Sequence, residues 1–505
     1  MNETLYKSFW RNFLGHSPSW YKLLVVSCLI ANVVVLHVAG SVVASWLVLA
    51  EFIGTLAMAL KCYPLQPGGL LAIQAVLLNL TDSQSVYNEI IAGLPVILLM
   101  IFMVTAIYFL RDLLQVIFSS LLLRVRSHLI LSLLFCVLSA VLSAFLDALT
   151  VIAVVMTAAM GFYAVYHQVA CGKSHQDAVA SNEHDYTADA EVHSVRRDEL
   201  DAFRGFLRGL VMHAAVGTAL GGVMTQVGEP QNLLIAKQAG WTFTQFFIAV
   251  APVSIPVFIV GALTCVIIER FRLFGYGMEL PVNVYQILSE HAASTAARRG
   301  PKERAQLWIQ GLIAVTMVIA LIMHWAEVGV IGLLIIVLAT AFNGVTDEHR
   351  IGKAFEVSLP FTALLVVFFA VVAVIHDQHL FDPFTQWVLT QTGRMQLAMM
   401  FVATGLLSAV SDNVFVATVY ISGLKASFLE GTIDQTNFEQ LAATINVGTN
   451  IVSVATPNGQ AAFLFLLTSA LAPLIRLSYG RMLWMALPYT IVLTATAFLA
   501  TMYLL

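Results

Sequence analysis

Long runs of hydrophobic residues follow one another along this chain, with few polar residues between them. A helix needs about 20 apolar residues to cross a bilayer, and fewer where protein covers part of its length. The runs that meet this requirement cover residues 23–45, 46–60, 68–80, 92–110, 209–238, 245–268, 306–326, 328–342, 356–375, 440–468 and 482–503. The pattern predicts an all-α, polytopic membrane protein with about eleven transmembrane helices.

Two further apolar stretches are interrupted near their middle by an aspartate, Asp147 in residues 127–170 and Asp412 in residues 396–424. A carboxylate near the bilayer centre costs about 3 kcal/mol or more. Irregular backbone at that depth is tolerated only where protein or a water-filled cavity surrounds it. We therefore expect each stretch to form a re-entrant hairpin of two half-helices, with its aspartate at the tip.

The two hairpins are similar in sequence, and a segment with a central proline follows each of them. Proline removes a backbone donor and breaks or kinks a helix, so the order of hairpin and broken helix occurs twice. The matching tips are Leu142-Ser-Ala-Phe-Leu-Asp147 and Leu407-Ser-Ala-Val-Ser-Asp412, and the matching broken helices are 209–238 around Pro230 and 440–468 around Pro457.

Basic residues indicate how these segments are oriented, because positively charged loops stay in the cytoplasm. Counting crossings puts three basic loops on one side, whereas the acidic loop 425–439 falls on the other side. The amino terminus is then cytoplasmic and the carboxyl terminus periplasmic. The basic loops carry Arg111, Arg124 and Arg126, then Lys173, Arg196, Arg197, Arg204 and Arg208, then Arg270, Arg272, Arg298, Arg299, Lys302 and Arg304.

The opposite orientation of the two hairpins predicts two inverted-topology repeats, an arrangement found in many secondary transporters. Residues 1–45 would form a cytoplasmic segment and an extra first helix. The first repeat would be 46–268, a cytoplasmic linker 269–305, and the second repeat 306–505. Transporters of this kind hold substrate and coupling ion at the midplane, between interrupted helices.

Composition agrees with the membrane class and excludes other classes. Of 505 residues, 59% are apolar and 11% are charged, against about 45–50% and about 25% in soluble domains. The net charge of −4 gives no reason to expect nucleic-acid binding. An embedded hydrolase would need a nucleophile with a nearby base or a metal motif such as His-Glu-x-x-His, and the sequence shows neither. A channel would not need two inverted acidic tips. We therefore do not expect an enzyme.

The candidate ion site consists of polar residues at the four breaks. Asp147 and Asp412 are the predicted binders of the transported cation and of the proton, because carboxylates and carbonyls are hard oxygen ligands that suit alkali cations, and freed backbone groups at the breaks can be directed at an ion. Glu229 could instead lie in a wider, wetter space. The predicted supporting residues are Thr150, Thr225, Gly228, Glu229, Pro230, Asn232, Ser411, Asn413, Thr449, Asn450, Thr456, Pro457 and Asn458.

Other charged residues lie near the predicted ends of crossings, where their side chains can reach the membrane interface. His213 could also titrate near neutral pH, but the sequence offers no partner for it. This interfacial interpretation covers Glu51, Glu327, His213, His324, His376 and Asp377.

Several longer motifs resemble those of one known family, the bacterial NhaB sodium/proton antiporters. The similar stretches span nearly the whole chain. They are Phe9-Trp-Arg-Asn-Phe-Leu-Gly15, Ala57-Met-Ala-Leu-Lys-Cys-Tyr63, Phe145-Leu-Asp-Ala-Leu-Thr150, Gly228-Glu-Pro-Gln-Asn232, Ser411-Asp-Asn-Val-Phe415, Ala455-Thr-Pro-Asn-Gly-Gln460 and Arg476-Leu-Ser-Tyr-Gly-Arg481.

The resemblance implies exchange of cytoplasmic Na⁺ for external H⁺ across the bacterial inner membrane, driven by the proton-motive force, and it points to Asp147 as an important acidic residue. Related carboxylate carriers look similar in the broken helices but carry Ser-Asn-Thr at both tips. Here Asp147 and Asp412 replace the neutral asparagine, which argues against a bound dicarboxylate. The alternative that stays open is a sodium-coupled symporter of an organic anion on the same fold.

The predicted mechanism is competition, in which a proton and Na⁺ bind in turn to the same buried carboxylates while the hairpins and broken helices rock against the flanking helices. No cofactor is expected, and the transported species are Na⁺ and H⁺, with Li⁺ as a further candidate. The expected partners are membrane lipid and, as in many relatives, a second copy of the chain.

Overall fold

The computed structural model describes residues 5–172, 186 and 196–505, and every regular element among them is helical. Residues 1–4 of the predicted amino-terminal segment and Lys173 of the second basic loop lie outside the described residues. Up to the predicted linker the helices are α1 (Leu5–Asn12), α2 (Ser19–Ala39), α3 (Ser41–Ala57), α4 (Leu65–Leu77), α5 (Ser83–Ala92), α6 (Leu94–Leu98), α7 (Val104–Tyr108), α8 (Arg111–Arg124), α9 (His128–Ser143), α10 (Ala148–Ala170), α11 (Arg197–Gly222), α12 (Pro230–Ala239) and α13 (Phe243–Arg270).

The remainder of the chain continues in the same way, with a π-helical turn, Leu99–Met103, between α6 and α7 and a 3-10 turn, Val452–Ala455, after α22. The later helices are α14 (Val282–Arg298), α15 (Pro301–Ile322), α16 (Val328–Asn343), α17 (Glu348–Phe355), α18 (Leu359–Asp377), α19 (Asp382–Leu389), α20 (Arg394–Ser408), α21 (Asn413–Leu429), α22 (Gln435–Ile451), α23 (Ala461–Thr468), α24 (Leu471–Leu474) and α25 (Tyr479–Leu504).

Length and hydropathy identify the helices that can cross a bilayer. Among the described residues six are long and apolar enough, namely α2, α10, α13, α15, α18 and α25, and α5 with α6–α7 forms a further pair bent by 59°. Shorter apolar helices are α3, α4, α9, α16 and α21. The protein is thus a polytopic all-α membrane protein, as predicted, while the number of eleven crossings stays a prediction.

Both aspartate-centred stretches are broken where the sequence predicts. The first is α9 and α10, separated at Asp147, and the second is α20 and α21, separated at Asp412. The second arm of the first hairpin, α10, has 23 residues and is long enough to cross a bilayer by itself. The breaks are confirmed, and whether each stretch re-enters on one side stays a prediction.

The proline-centred segments are broken as well. The first consists of α11 and α12, with Pro230 as the first residue of α12, and the second consists of α22 and α23, with Pro457 in the irregular stretch between them. Helix α11 begins at Arg197, well before the predicted start at 209. Hydropathy misses this extension because it contains arginines.

The arginine Arg204 shows how that extension is buried. Its side chain is only 4% exposed, and it donates hydrogen bonds to the Leu474 carbonyl at 2.9 Å and to the Tyr163 hydroxyl at 2.7 Å. A buried charge with satisfied donors is compatible with a helix inside the protein. The predicted linker 269–305 likewise contains a helix, α14, which packs on α8 and α10.

The packing order of the helices places the breaks together. Within each half, the first arm of the hairpin packs on the broken helix, α9 on α11 and α20 on α22. Between the halves, the short helix after each break packs on the second arm of the other hairpin, α12 on α21 and α23 on α10. The four breaks therefore meet in the interior of the molecule.

Candidate functional site

Asp147 and Asp412 each cap the amino-terminal end of a half-helix, Asp147 as a buried residue and Asp412 as a partly exposed one. One oxygen of Asp147 accepts a hydrogen bond from the Thr150 amide at 3.2 Å. One oxygen of Asp412 accepts from the amides of Val414 at 2.8 Å and Phe415 at 3.3 Å. Capping satisfies orphan amides of the helix and occupies one oxygen of each carboxylate, so it does not by itself exclude ion binding by the other.

The two aspartates line one small cavity together with a third carboxylate, that of Glu229. The cavity measures about 20 Å³, and about one water-sized particle needs roughly 10–15 Å³ by this measure. Among the residues that the structure describes, no Lys, Arg or His lines it. Three carboxylates around a space for one particle form a site that requires a cation or protons to neutralise it.

Glu229 lines this small cavity, whereas the sequence also allowed it to lie in a wider, wetter space. It precedes Pro230 and is 4% exposed, and its Oε1 is buried without a hydrogen-bond partner among the described residues. Gly222 leaves the space for its side chain, because a Cβ on Gly222 would lie 3.1 Å from the Glu229 Cγ. An unpartnered carboxylate oxygen beside two other carboxylates is an acceptor for an ion or a proton.

The three carboxylates do not form a ready-made metal centre. Among the described residues, no group of three His, Cys, Asp or Glu side chains is arranged to hold a metal ion. A transported ion must also leave its site, so binding has to stay weak enough for release. The arrangement fits a cargo ion better than a resident metal.

The two threonines at the breaks have matching structural contacts. The hydroxyl of Thr225 donates to the carbonyl of Ala144 at the first tip, and that of Thr456 donates to the carbonyl of Ala409 at the second tip, the latter at 2.5 Å. Ala144 and Ala409 each lie three residues before their tip aspartate. These hydroxyls thus tie each broken helix to its own hairpin and do not line the cavity.

Two glycines bring the backbones into direct contact at equivalent places. A Cβ on Gly228 would lie 2.8 Å from the carbonyl oxygen of Ser143, and a Cβ on Gly459 would lie 2.5 Å from that of Ser408. Real Cβ atoms essentially never approach so closely. Only glycine allows each broken helix to approach its hairpin this far. Gly459 was not among the predicted residues, although it directly follows Asn458.

Predicted asparagines join the two broken helices to each other. The side-chain amide of Asn232 donates to the carbonyls of Gly222 and Thr225, both at 2.6 Å, and its oxygen accepts from Asn450 at 2.9 Å. The Asn450 oxygen in turn accepts from Gln231 at 2.9 Å. Asn232 thus satisfies carbonyls freed by the first break, and its bonds with Asn450 tie the two broken helices together outside the cavity.

The remaining predicted residues divide into two groups. Asn413 and Pro230 line the cavity, whereas Thr150, Ser411, Thr449, Pro457 and Asn458 do not. The Thr449 hydroxyl donates to its own helix at 2.8 Å, and Asn458 donates to the Ala57 carbonyl at 3.3 Å. The sequence did not single out the other lining residues, which are Leu149, Gln231, Phe361, Val414, Gly459 and Ala461.

A larger cavity lies next to the ion cavity. It measures about 510 Å³ and shares two lining residues, Leu149 and Phe361, with the small one. Thr150, Arg111 and Asp112 also line this larger space. The two cavities are therefore neighbours, and they meet at one aromatic and one aliphatic side chain.

His213 contradicts the interfacial interpretation. It is fully buried, its Nε2 lies 2.8 Å from the Glu269 carboxylate and its Nδ1 lies 2.8 Å from the Tyr489 hydroxyl. The Ser132 hydroxyl donates to the same Glu269 oxygen at 2.9 Å. Because α11 begins before 209, His213 lies well inside that helix, and α11, α13, α25 and α9 are joined there.

Fold and site together define a class of protein, a polytopic α-helical membrane protein with buried carboxylates at the breaks of its helices. A family model described as bacterial Na⁺/H⁺ antiporter B (NhaB) matches residues 1–505. The chain belongs to this family of transporters, so it is not an enzyme, and the resemblance seen in the sequence motifs is confirmed.

Individual relatives are similar in sequence to this chain over nearly their full length. A protein named Na(+)/H(+) antiporter NhaB from Saccharophagus degradans is 61% identical over 98% of this chain and 98% of its own length. Proteins of the same name from Vibrio atlanticus and Pseudomonas putida are 59% and 57% identical, covering 98% and 100% of this chain and 92% and 100% of their own. The alternative of a sodium-coupled organic-anion symporter is not supported.

Proposed function

We propose that this protein exchanges cytoplasmic Na⁺ for external H⁺ across the bacterial inner membrane, at the cavity between Asp147, Glu229 and Asp412. The observation that carries the proposal is the convergence of these three carboxylates, two of them buried, on a space for about one particle. Among the described residues, no basic side chain lines this space. Family membership supports Na⁺ and H⁺ as the exchanged ions, and Li⁺, a smaller alkali cation, would use the same oxygens.

Competition between the two ions explains obligatory exchange. Carboxylates held in a low-dielectric interior carry a large desolvation cost unless a cation or a proton neutralises them. Na⁺ and H⁺ serve the same purpose at Asp147 and Asp412, so binding of one favours release of the other. A site that holds neither ion does not change readily from facing one side of the membrane to facing the other. This requirement couples the flux of Na⁺ to the flux of H⁺. Exchange of two ions on side chains of the chain itself needs no cofactor.

The matching contacts of the two halves support inverted repeats 46–268 and 306–505. Thr225 and Thr456 bond the carbonyl at equivalent tip positions, and each half contributes the short helix that packs on the other half's hairpin. In this proposal the hairpins and broken helices move as one body against the flanking helices, as in other inverted-repeat carriers.

The position of the larger cavity supports a cytoplasm-facing state. It is lined by Phe361, which also lines the ion cavity, and by Arg111 and Asp112 at the start of α8. Basic loops predict that this end is cytoplasmic. We accordingly infer a cytoplasmic amino terminus and a periplasmic carboxyl terminus. A homodimer is a further proposal, tested by the mass of the protein in lipid nanodiscs.

The experiment is Na⁺-induced proton release from proteoliposomes that hold an imposed pH gradient. We expect the intact protein to respond to Na⁺, and Asp147→Asn and Asp412→Asn to lose the response. Asp434→Asn is the matched control, because Asp434 also caps a helix, bonding the Asn437 amide at 2.7 Å, but lies outside the cavity. Full activity of both tip variants would contradict the proposal.

A further inference from the structure

A cavity of about 330 Å³ lies between α8, α15, α16 and α17, and it shares Tyr108, Arg111 and Asp112 with the larger cavity beside the ion site. Three cationic side chains line it, those of Arg111, Arg350 and Lys353, and the one carboxylate in its lining is Asp112. The excess of positive charge makes the cavity unsuited to a transported cation. It is suited to an anion.

The short helix α17 contributes basic side chains, and no acidic side chain, to the lining of this cavity. Arg350 and Lys353 are three positions apart and therefore lie on one face of the helix, and both line the cavity, whereas Glu348 and Glu356 do not. Neither Arg350 nor Lys353 forms a salt bridge with another described side chain. Across the cavity Arg111 is held 4.0 Å over the ring of Tyr108.

The inner wall of the cavity is polar and partly unsatisfied. Gln310 is 4% exposed, and its oxygen accepts from the Leu113 amide at 2.9 Å, which fixes the start of α8 against α15. The side-chain oxygen of Asn343 is buried without a hydrogen-bond partner among the described residues. A polar ligand with both an acceptor and a donor group would satisfy the cations and this oxygen together.

Apolar surface continues outward from the same place. Phe342 on α16 precedes the lining residue Asn343 in the chain and is 65% exposed. An acyl chain can lie along Phe342 while the attached headgroup occupies the cavity, so this exposed aromatic side chain favours a lipid over a free anion.

We propose that this cavity binds the phosphodiester headgroup of an anionic phospholipid of the cytoplasmic leaflet. Arginine and lysine recognise phosphate oxygens through charge-assisted hydrogen bonds. Basic pockets between transmembrane helices on the cytoplasmic side are typical sites for anionic headgroups. This binding goes beyond ion exchange, because none of the three cationic residues lines the small ion cavity, although Arg111 also lines the larger cavity beside it.

The test compares lipid binding by the full-length protein and two double variants. Arg350→Gln with Lys353→Gln removes two cavity cations, and Arg298→Gln with Lys302→Gln removes two exposed cations of the neighbouring linker. The purified proteins are titrated in neutral detergent with phosphatidylglycerol, phosphatidylcholine or inorganic phosphate, and thermal melting and native mass spectrometry report binding. We expect the cavity variant to bind phosphatidylglycerol about 30-fold more weakly than the intact protein.

The control variant should bind phosphatidylglycerol like the intact protein, and phosphatidylcholine should give no comparable complex. Equal affinity of the cavity variant and the intact protein would overturn the proposal. Stabilisation of the intact protein by inorganic phosphate at the same concentrations would also overturn it, in favour of a site for free phosphate. If the double variant is not monodisperse, Arg111→Gln alone should weaken binding about fivefold, and an unchanged affinity there would count equally against the proposal.

Discussion

Replacing Asp147 by asparagine or by alanine separates its two roles, capping α10 and binding an ion. Asparagine caps a helix about as well as aspartate does, so Asp147→Asn removes the charge and keeps the hydrogen bond to the Thr150 amide. Asp147→Ala removes both. We expect Asp147→Asn to melt at nearly the same temperature as the intact protein, and Asp147→Ala to lose about 1 kcal/mol of stability.

The second tip should show a larger effect of the alanine substitution. Asp412 accepts two amide hydrogen bonds, at 2.8 and 3.3 Å, where Asp147 accepts one at 3.2 Å. We expect Asp412→Ala to cost about 2 kcal/mol, the upper end of measured capping effects. The assay is reversible denaturant unfolding of the purified protein in mixed micelles, where the populations of folded and unfolded protein are measured directly.

Transport should depend on the negative charge at residues 147 and 412 and not on whether these residues cap a helix. Both alanine variants and both asparagine variants of Asp147 and Asp412 are expected to lose Na⁺-driven proton release, although the asparagine variants stay stable. Asp434→Ala loses an exposed cap of the same kind and should transport normally at a similar cost in stability. Asparagine variants that transport at half the normal rate or more, beside inactive alanine variants, would refute the reasoning, because the aspartates would then be caps only.

Three further substitutions test the packing around the site. Gly228→Ala should cost about 1–3 kcal/mol and reduce transport, because its Cβ would meet two carbonyl oxygens. The control is Gly311→Ala, whose Cβ would lie in open space inside α15. It should leave the transport rate unchanged and should not lower the melting temperature, because alanine favours a helix over glycine. Glu269→Gln should lower the melting temperature by an amount that corresponds to about 3 kcal/mol, because it removes the charged partner of buried His213. An unchanged melting temperature would show that this pair does not stabilise the fold. Thr456→Val should cost about 1 kcal/mol, measured by the same melting experiment, since a tip carbonyl loses its donor, and a more stable variant would contradict that contact.

Charged and proline residues inside apolar runs were the most informative part of the sequence. Asp147 and Asp412 mark breaks because only a capped helix end or a cavity accommodates a carboxylate there, and Pro230 marks the start of a helix because its missing amide is not needed at that position. These local rules predict where the chain is interrupted, and the structure has breaks at all three residues.

Features that depend on long-range contacts could not be predicted. Arg204 is charged, so its sequence neighbourhood predicts an exposed side chain. It is buried because the Leu474 carbonyl and the Tyr163 hydroxyl, both distant in the sequence, accept its hydrogen bonds. Gly40 ends α2 with a positive φ of 88° inside a continuous apolar run, so hydropathy placed the end of the first crossing at 45 instead of at Ala39.

The sequence indicates polar residues at the breaks but does not indicate which of them line the cavity. The sequence predicted polar oxygens at the breaks, but hydroxyls and amides there, such as those of Thr225 and Asn232, are used to satisfy freed carbonyls. Which groups line the cavity depends on how α12 meets α21, a contact between residues far apart in the chain. For the same reason Gln231 was not singled out.

The measurement that tests the central claim most directly is the apparent KM for Na⁺ as a function of pH, taken from initial rates of Na⁺-driven exchange in proteoliposomes. If Na⁺ and H⁺ compete for the same carboxylates, lowering the pH should raise this KM by up to about tenfold per pH unit and leave the maximal rate unchanged at saturating Na⁺. A KM for Na⁺ that stays constant while the maximal rate changes with pH would contradict the account, because the proton would then act at a separate site.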